Sequence, residues 1–165
     1  MQPDARSKRQ EGLAAHPLAE LLACPPSTSS LLTASAQALE FEPGRVIFTQ
    51  SSSCLGLYLV VSGQLLRRSE RMDMRLTLGT VRSGDLLELA AALGDRLHTY
   101  TLVAQTSGSM LLLPIEPLYQ AFQAYPPLRM RLLEELAREV SRAYHSCSLN
   151  LPVRTRRRAG SVMSD

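Results

Sequence analysis

Turn signals recur throughout the middle of this chain, and only short runs of strand-forming residues fit between them. Phe41-Glu42-Pro43-Gly44 is followed by a strand over Arg45–Thr49, with Val46 and Phe48 expected on one face. The polar loop Gln50–Cys54 then leads to Leu57–Val61, a β-rich run closed by Ser62-Gly63. Gln64–Arg68 leads away, Met72–Thr80 returns, and Gly108 separates two further strands, His98–Gln105 and Ser109–Leu113, before Pro114 and Pro117 end the β region. Many short strands punctuated in this way point to an antiparallel sandwich, roll or barrel.

One stretch inside that region differs. Ser83 to Ala104, SGDLLELAAALGDRLHTYTLVA, reads as a turn, a short apolar helix, a polar loop and a strand returning into the core. A loop and helix start inside a strand-rich box are a common anion-holding device, because unpaired backbone N–H groups face the cavity. It is the candidate binding site.

Outside the strands the period is helical. His16–Ala23 is a short apolar helix, Pro25-Pro26 breaks it, and a serine or threonine of the run that follows caps a second helix, Leu31–Leu39. Leu118–Ala124 forms a third, and Pro126 or Pro127 opens a long last helix that ends at Asn150 and Pro152. Along it Leu133, Leu136, Val140, Ala143 and Cys147 alternate in steps of three and four, which suits a seam with the same helix of a second chain. Docking on the β body is the competing use of that stripe.

Charge and cysteine usage narrow the class. The net charge of +3 is carried by the last residues, where Arg154, Arg156, Arg157 and Arg158 face only Asp165, so the rest of the chain is balanced. No basic surface for nucleic acid is expected on the folded body, and the arginine tail alone leaves a nucleic-acid-associated role as an alternative. Cys24, Cys54 and Cys147 are odd in number and show no zinc or iron–sulfur spacing, so reduced thiols, a cytoplasmic location and no metal centre are expected. Leu21-Leu22-Ala23-Cys24 looks like a lipidation signal, but His16, Pro17 and Glu20 interrupt its apolar region, and no run suits a membrane span. Neither a Ser/His/Asp order, a carboxylate pair nor a phosphate loop suggests an enzyme.

Phe41-Glu42-Pro43-Gly44-Arg45-Val46-Ile47-Phe48 matches "FxPGxxIF", Leu57 to Gly63 matches "LYxVxSG", and Leu78-Gly79 with Gly84-Asp85 matches "LGxxxxGD". In this order the motifs resemble the cyclic-nucleotide-binding-domain superfamily, in particular the effector domain of Crp/Fnr-type bacterial regulators. The resemblance spans about residues 16 to 147. It implies a mainly β fold with flanking helices: a jelly-roll-like β-roll (a double-stranded β-helix) and a long C-terminal dimerisation helix. It also implies a homodimer, regulation by a bound cyclic nucleotide (cAMP or cGMP), and no catalysis. The expected organisation is a disordered segment over 1–15, helices over 16–40, a β-roll over 41–114 with its phosphate-binding cassette at 83–104, helices over 117–148, and a basic disordered tail over 149–165. The helix-turn-helix domain of such regulators is not expected, nor is sequence-specific DNA binding; a protein partner is an alternative output.

The cassette departs from the family pattern. Aligned without a gap, the family's glycine falls on Glu88, its glutamate on Leu89, its arginine on His98 and its alanine on Tyr100, while Thr99 and Thr101 match. Glu88 puts a side chain and negative charge near the anion site, Leu89 cannot accept from a ribose hydroxyl, and His98 with an ordinary pKa of about 6.5 is mostly neutral at pH 7. Losing two charge-assisted contacts of about 1.5–3 kcal/mol each weakens binding by roughly two to four decades if they add. Impaired cAMP or cGMP binding is therefore expected. The alternative is a functional receptor with a variant cassette, in which a one-residue slip puts Glu88 on the family's glutamate and Arg96 supplies the phosphate's cation. His98 itself is expected as a polar residue satisfied by a neighbour at a strand start.

Overall fold

The computed structural model describes residues 20–71 and 74–149. Its elements are α1 (Pro26–Ser35), β1 (Gln37–Phe41), β2 (Val46–Phe48), β3 (Gly56–Ser62), β4 (Leu65–Arg71), β5 (Met74–Val81), β6 (Leu86–Leu87), α2 (Leu89–Leu93), β7 (Thr101–Ala104), β8 (Gly108–Pro114), α3 (Ile115–Ala124) and α4 (Pro126–Leu149). The strands form two four-stranded antiparallel sheets, ordered β1-β8-β3-β6 and β2-β7-β4-β5. This is the expected mainly β fold with flanking helices and a long C-terminal helix.

The alternation of strand side chains explains why β3 and β8 read as unbroken apolar runs. Leu57, Leu59, Leu111 and Leu113 face outward onto a helical layer that brings Leu32, Leu118, Phe122, Leu128 and Leu132. Tyr58, Val60, Met110 and Leu112 point the other way, into the roll, where they meet Phe41, Phe48, Leu65 and Leu102. Both faces are covered, so neither carries polar positions. Gly56 lets β3 and β8 close up: a Cβ there would lie 2.0 Å from the Leu113 carbonyl oxygen.

Several elements differ from the sequence reading. The second helix is Pro26–Ser35 rather than Leu31–Leu39, with Pro26 opening it and no side-chain cap at Pro25. Gln37–Phe41, of which Gln37–Leu39 were expected in that helix and Phe41 in a turn, is a strand, because five residues pair in register with Leu112 back to Gly108 and that pairing outweighs local helix preference. Val46 and Phe48 do not share a face: the register shifts between them, leaving Val46 exposed and Phe48 buried. The strand expected from His98 begins only at Thr101, and the helix expected from Leu118 starts at Ile115. There Pro114 takes the N-cap and Pro117 sits in the first turn, where an N–H has no helical partner anyway. Residues 1–19 and 150–165, with the N-terminal segment, the first half of the His16–Ala23 helix and the arginine tail, lie outside the described residues. Among the described residues no helix is long and apolar enough to cross a membrane.

Candidate functional site

The site is built where the short strand β6 turns into α2. Leu86 and Leu87 pair with Leu59 and Tyr58 of β3, and the chain then reverses through Glu88, whose backbone is left-handed (φ 68°, ψ 30°). A non-glycine residue in that region costs about 1–2 kcal/mol. The turn sends the Glu88 side chain into the roll, where it is fully shielded from solvent.

The opposite wall is the loop before β7. Its backbone is stitched to the loop after β2: Ser51 N–H donates to His98 O (2.8 Å), His98 N–H to Ser52 O (2.9 Å), and Cys54 N–H to Arg96 O (2.8 Å). These bonds fix Cys54 and His98 side by side. Glu88 reaches across to the same loop. Thr99 N–H donates to Oε2 (3.3 Å) and the Thr99 hydroxyl to Oε1 (3.2 Å), and the Tyr100 hydroxyl also donates to this carboxylate. His98 lies flat on the Phe48 ring, with centroids 3.8 Å apart, and its Nδ1 is 3.4 Å from Glu88 Oε2. That nitrogen makes no hydrogen bond. The expectation that His98 is satisfied by a neighbour is thus not met at Nδ1, because the ring's orientation is set by stacking.

Burial dominates the electrostatics. It pushes the Glu88 carboxyl up to about 7, against the Thr99 and Tyr100 hydrogen bonds, which favour ionisation. It lowers His98, and it raises Tyr58 to about 12, with Cys54 and Glu88 adding to that rise. The Tyr100 hydroxyl is pushed up as well, again chiefly by burial. Near pH 7 the Glu88 carboxyl is thus divided between its ionised and protonated forms, beside an imidazole whose burial favours the neutral form.

A cavity of about 620 Å³ lies between the roll and α4, lined by Arg67, Val81, Leu86, Leu89, Glu139 and Ala143 among others. Arg67 stands over the Tyr100 ring (5.7 Å to its centroid) and pairs with Glu139 of α4 (3.3 Å), while its buried Nε has no hydrogen bond. The volume is in the range of small-molecule sites.

The cyclic nucleotide-binding domain family model matches residues 38–125, more than half the chain. This chain belongs to the cyclic nucleotide-binding domain family. Solved structures agree in fold. The Thermus thermophilus catabolite activator protein is 24% identical, with a TM-score of 0.69 over 81% of this chain and 62% of that one, so the chain spans under two thirds of that protein. A cyclic nucleotide-binding domain from Methylobacillus flagellatus is 15% identical, with a TM-score of 0.73 over 83% of this chain and 84% of that one. The sensor domain of the transcriptional regulator DNR from Pseudomonas aeruginosa is 20% identical, with a TM-score of 0.65 over 79% of this chain and 91% of that one. No curated protein matches the sequence.

Against the family's cassette, the left-handed residue is Glu88, and Leu87 is not left-handed. The backbone therefore has its glycine-like turn where the ungapped alignment puts the family's glycine. Glu88, His98, Thr99 and Tyr100 come together inside the roll. Leu89 is buried and borders the cavity, and Thr101 Oγ1 accepts from Gln50 N–H (3.0 Å). Arg96 does not join them: its guanidinium lies over the Tyr119 ring of α3, 5.5 Å from the centroid. The helix of the cassette is only five residues long, and the donors around the carboxylate come from Thr99 and Tyr100.

Sequence reasoning missed Cys54, Tyr58, Arg67 and Glu139. Cys54 sits in a run that reads as a polar loop, and Arg67 is one of two adjacent arginines, so only strand pairing tells which faces the cavity. The seam residues are also redistributed. Leu136 packs partly buried on the helical layer and Ala143 borders the cavity, whereas Leu133 and Val140 are exposed. The Cys147 side chain lies outside the described residues.

Proposed function

We propose that this domain is a non-enzymatic, cytoplasmic regulatory module of the Crp/Fnr effector type that no longer takes cAMP or cGMP in the ordinary way. The observation that carries this reading is the Glu88 carboxylate. It replaces the glycine, stands beside the histidine that replaces the phosphate-binding arginine, and holds both the N–H and the hydroxyl of Thr99. A cyclic phosphate entering there would meet a second acidic group, find these donors engaged, and gain no permanent cation.

The cavity between the roll and α4 is the ligand space in this reading. Arg67 lines it with an unsatisfied Nε, so a small molecule bearing an acceptor or anionic group fits better than an apolar one. Such a ligand would compete with Glu139 for Arg67 and so shift α4 against the roll. The output is a homodimer through α4, whose exposed residues Met130, Leu133, Ala137, Val140 and Tyr144 again alternate in steps of three and four. That stripe is offset from the one read in the sequence, because Leu136 is used on the body.

Restoring the family residues tests the reading. In calorimetric titrations with cAMP, a Glu88→Gly/His98→Arg variant is expected to bind at least about tenfold tighter than the unmodified protein, since one regained charge-assisted contact is worth at least 1.4 kcal/mol. Equal affinity in the two proteins would contradict it.

A further inference from the structure

The roll interior contains three metal-ligand types with no role in nucleotide recognition. Cys54 Sγ, a Glu88 carboxylate oxygen and a His98 imidazole nitrogen all lie within 4.8 Å of one another, and all three residues are buried. We propose that Cys54, Glu88 and His98 form a binding site for a divalent transition-metal ion of the Zn²⁺ type. The inference does not depend on how the neighbouring cavity is used.

Four observations converge. First, the donor set is one thiol, one imidazole and one carboxylate, which suits Zn²⁺ and its borderline neighbours and not Mg²⁺ or Ca²⁺. Second, the spacing is close to what coordination needs. Bonds of about 2.0–2.3 Å in a tetrahedron put ligand atoms roughly 3.3–3.8 Å apart, and His98 Nδ1 is already 3.4 Å from Glu88 Oε2. Third, Nδ1 is buried, faces that carboxylate and has no hydrogen bond, an unfavourable condition that coordination would relieve. Fourth, the charges close: a thiolate and a carboxylate neutralise a dication in a site where net charge would be expensive.

The supporting shell is present too. Ligand carboxylates are held by hydrogen bonds, and the Thr99 N–H and hydroxyl hold Glu88 in just this way. The loop bonds that join Cys54 and His98 would act as a rigid frame for two of the ligands. On binding, the Cys54 thiol, which now donates to Gly56 O (3.1 Å), turns its sulfur to the ion, and its proton leaves for solvent together with any proton held by the Glu88 carboxyl. Three protein ligands leave a fourth position for water or a small anion. The sequence hides this site because its ligands come from three separate segments without a motif spacing.

The test uses tag-free, chelator-stripped full-length protein titrated with Co²⁺ and, in competition with a chromophoric chelator, with Zn²⁺. The expected result is one equivalent bound, with intense tetrahedral d–d bands and a thiolate-to-cobalt charge-transfer band. Cys54→Ser should abolish that band, and His98→Gln should weaken Zn²⁺ by about 100-fold or more. Cys24→Ser and Cys147→Ser should change neither. Because the spectrum is read on the unmodified protein, a variant that fails to fold does not decide the matter. Absence of saturable binding in the micromolar range, a pale octahedral spectrum without the thiolate band, or a band that survives Cys54→Ser would each overturn the proposal.

Discussion

Glu88 is a carboxyl held where water does not reach it, and its protonation must therefore appear in the stability of the metal-free protein. In the unfolded chain it loses its proton near 4.5, and in the fold near about 7. As pH rises through that window the unfolded state ionises first, so folding loses up to about 3 kcal/mol and the loss stays constant above it. His98 works in the opposite sense: its lowered pKa makes folding less favourable as pH falls below about 6.5. Comparison with Glu88→Gln isolates the first effect. The variant should gain on the unmodified protein between pH 5 and pH 7, and the difference should level off by pH 8, in thermal melts of chelator-treated samples. A constant difference across that range would place the carboxylate in water. From the sequence, Glu88 and His98 were legible as departures from a pattern. Their burial and mutual contact were not, since those depend on the left-handed turn and on stacking against Phe48.

At the scale of elements, the β3–β8 pair is the spine on which both apolar layers are built. Gly56→Ala would drive a methyl into the Leu113 carbonyl, a backbone atom that cannot give way without breaking the pair. A loss of about 3 kcal/mol or more in urea unfolding is expected, and a change under 1 kcal/mol would mean that the two strands are not packed this closely. A second element-scale contact is the Arg67–Glu139 pair between β4 and α4. Both side chains are partly exposed, so Glu139→Gln should cost no more than about 1 kcal/mol overall. Its effect should instead show as faster amide exchange confined to the second half of α4, and unchanged exchange there would remove the pair from any coupling role. Strands with a strict period or turn signals at both ends were readable in the sequence. Gln37–Phe41 was not, because Ala38 and Leu39 carry helix preference and only the partner strand β8 makes them extended. His98 to Tyr100 were read as the start of a strand for a related reason: these residues suit a ladder, but the backbone of His98 is bonded to the loop after β2, next to the isolated Ser53–Leu97 bridge, and not to a strand.

For the whole molecule, the sequence carried the fold through the order of its motifs, and the family match over residues 38–125 agrees. It said less about the last helix. Helical period alone cannot say which stripe of α4 docks on the body and which faces out, and the difference rests on Leu128, Leu132 and Leu136 reaching the helical layer. In the proposed dimer, Val140→Glu sets two carboxylates against each other across a two-fold axis. Sedimentation should then report a monomer where the unmodified protein sediments as a dimer; a dimer that survives the substitution would exclude this face. The central claim, however, concerns the ligand: that the chain's own carboxylate stands where a cyclic phosphate would bind. The most direct test is isothermal titration of the unmodified, metal-free protein with cAMP and cGMP to millimolar concentration. No saturable heat with either nucleotide is the result predicted by a buried Glu88 engaged by Thr99. Saturable heat with micromolar affinity would contradict it, because binding would then require the carboxylate to leave the site it is held in.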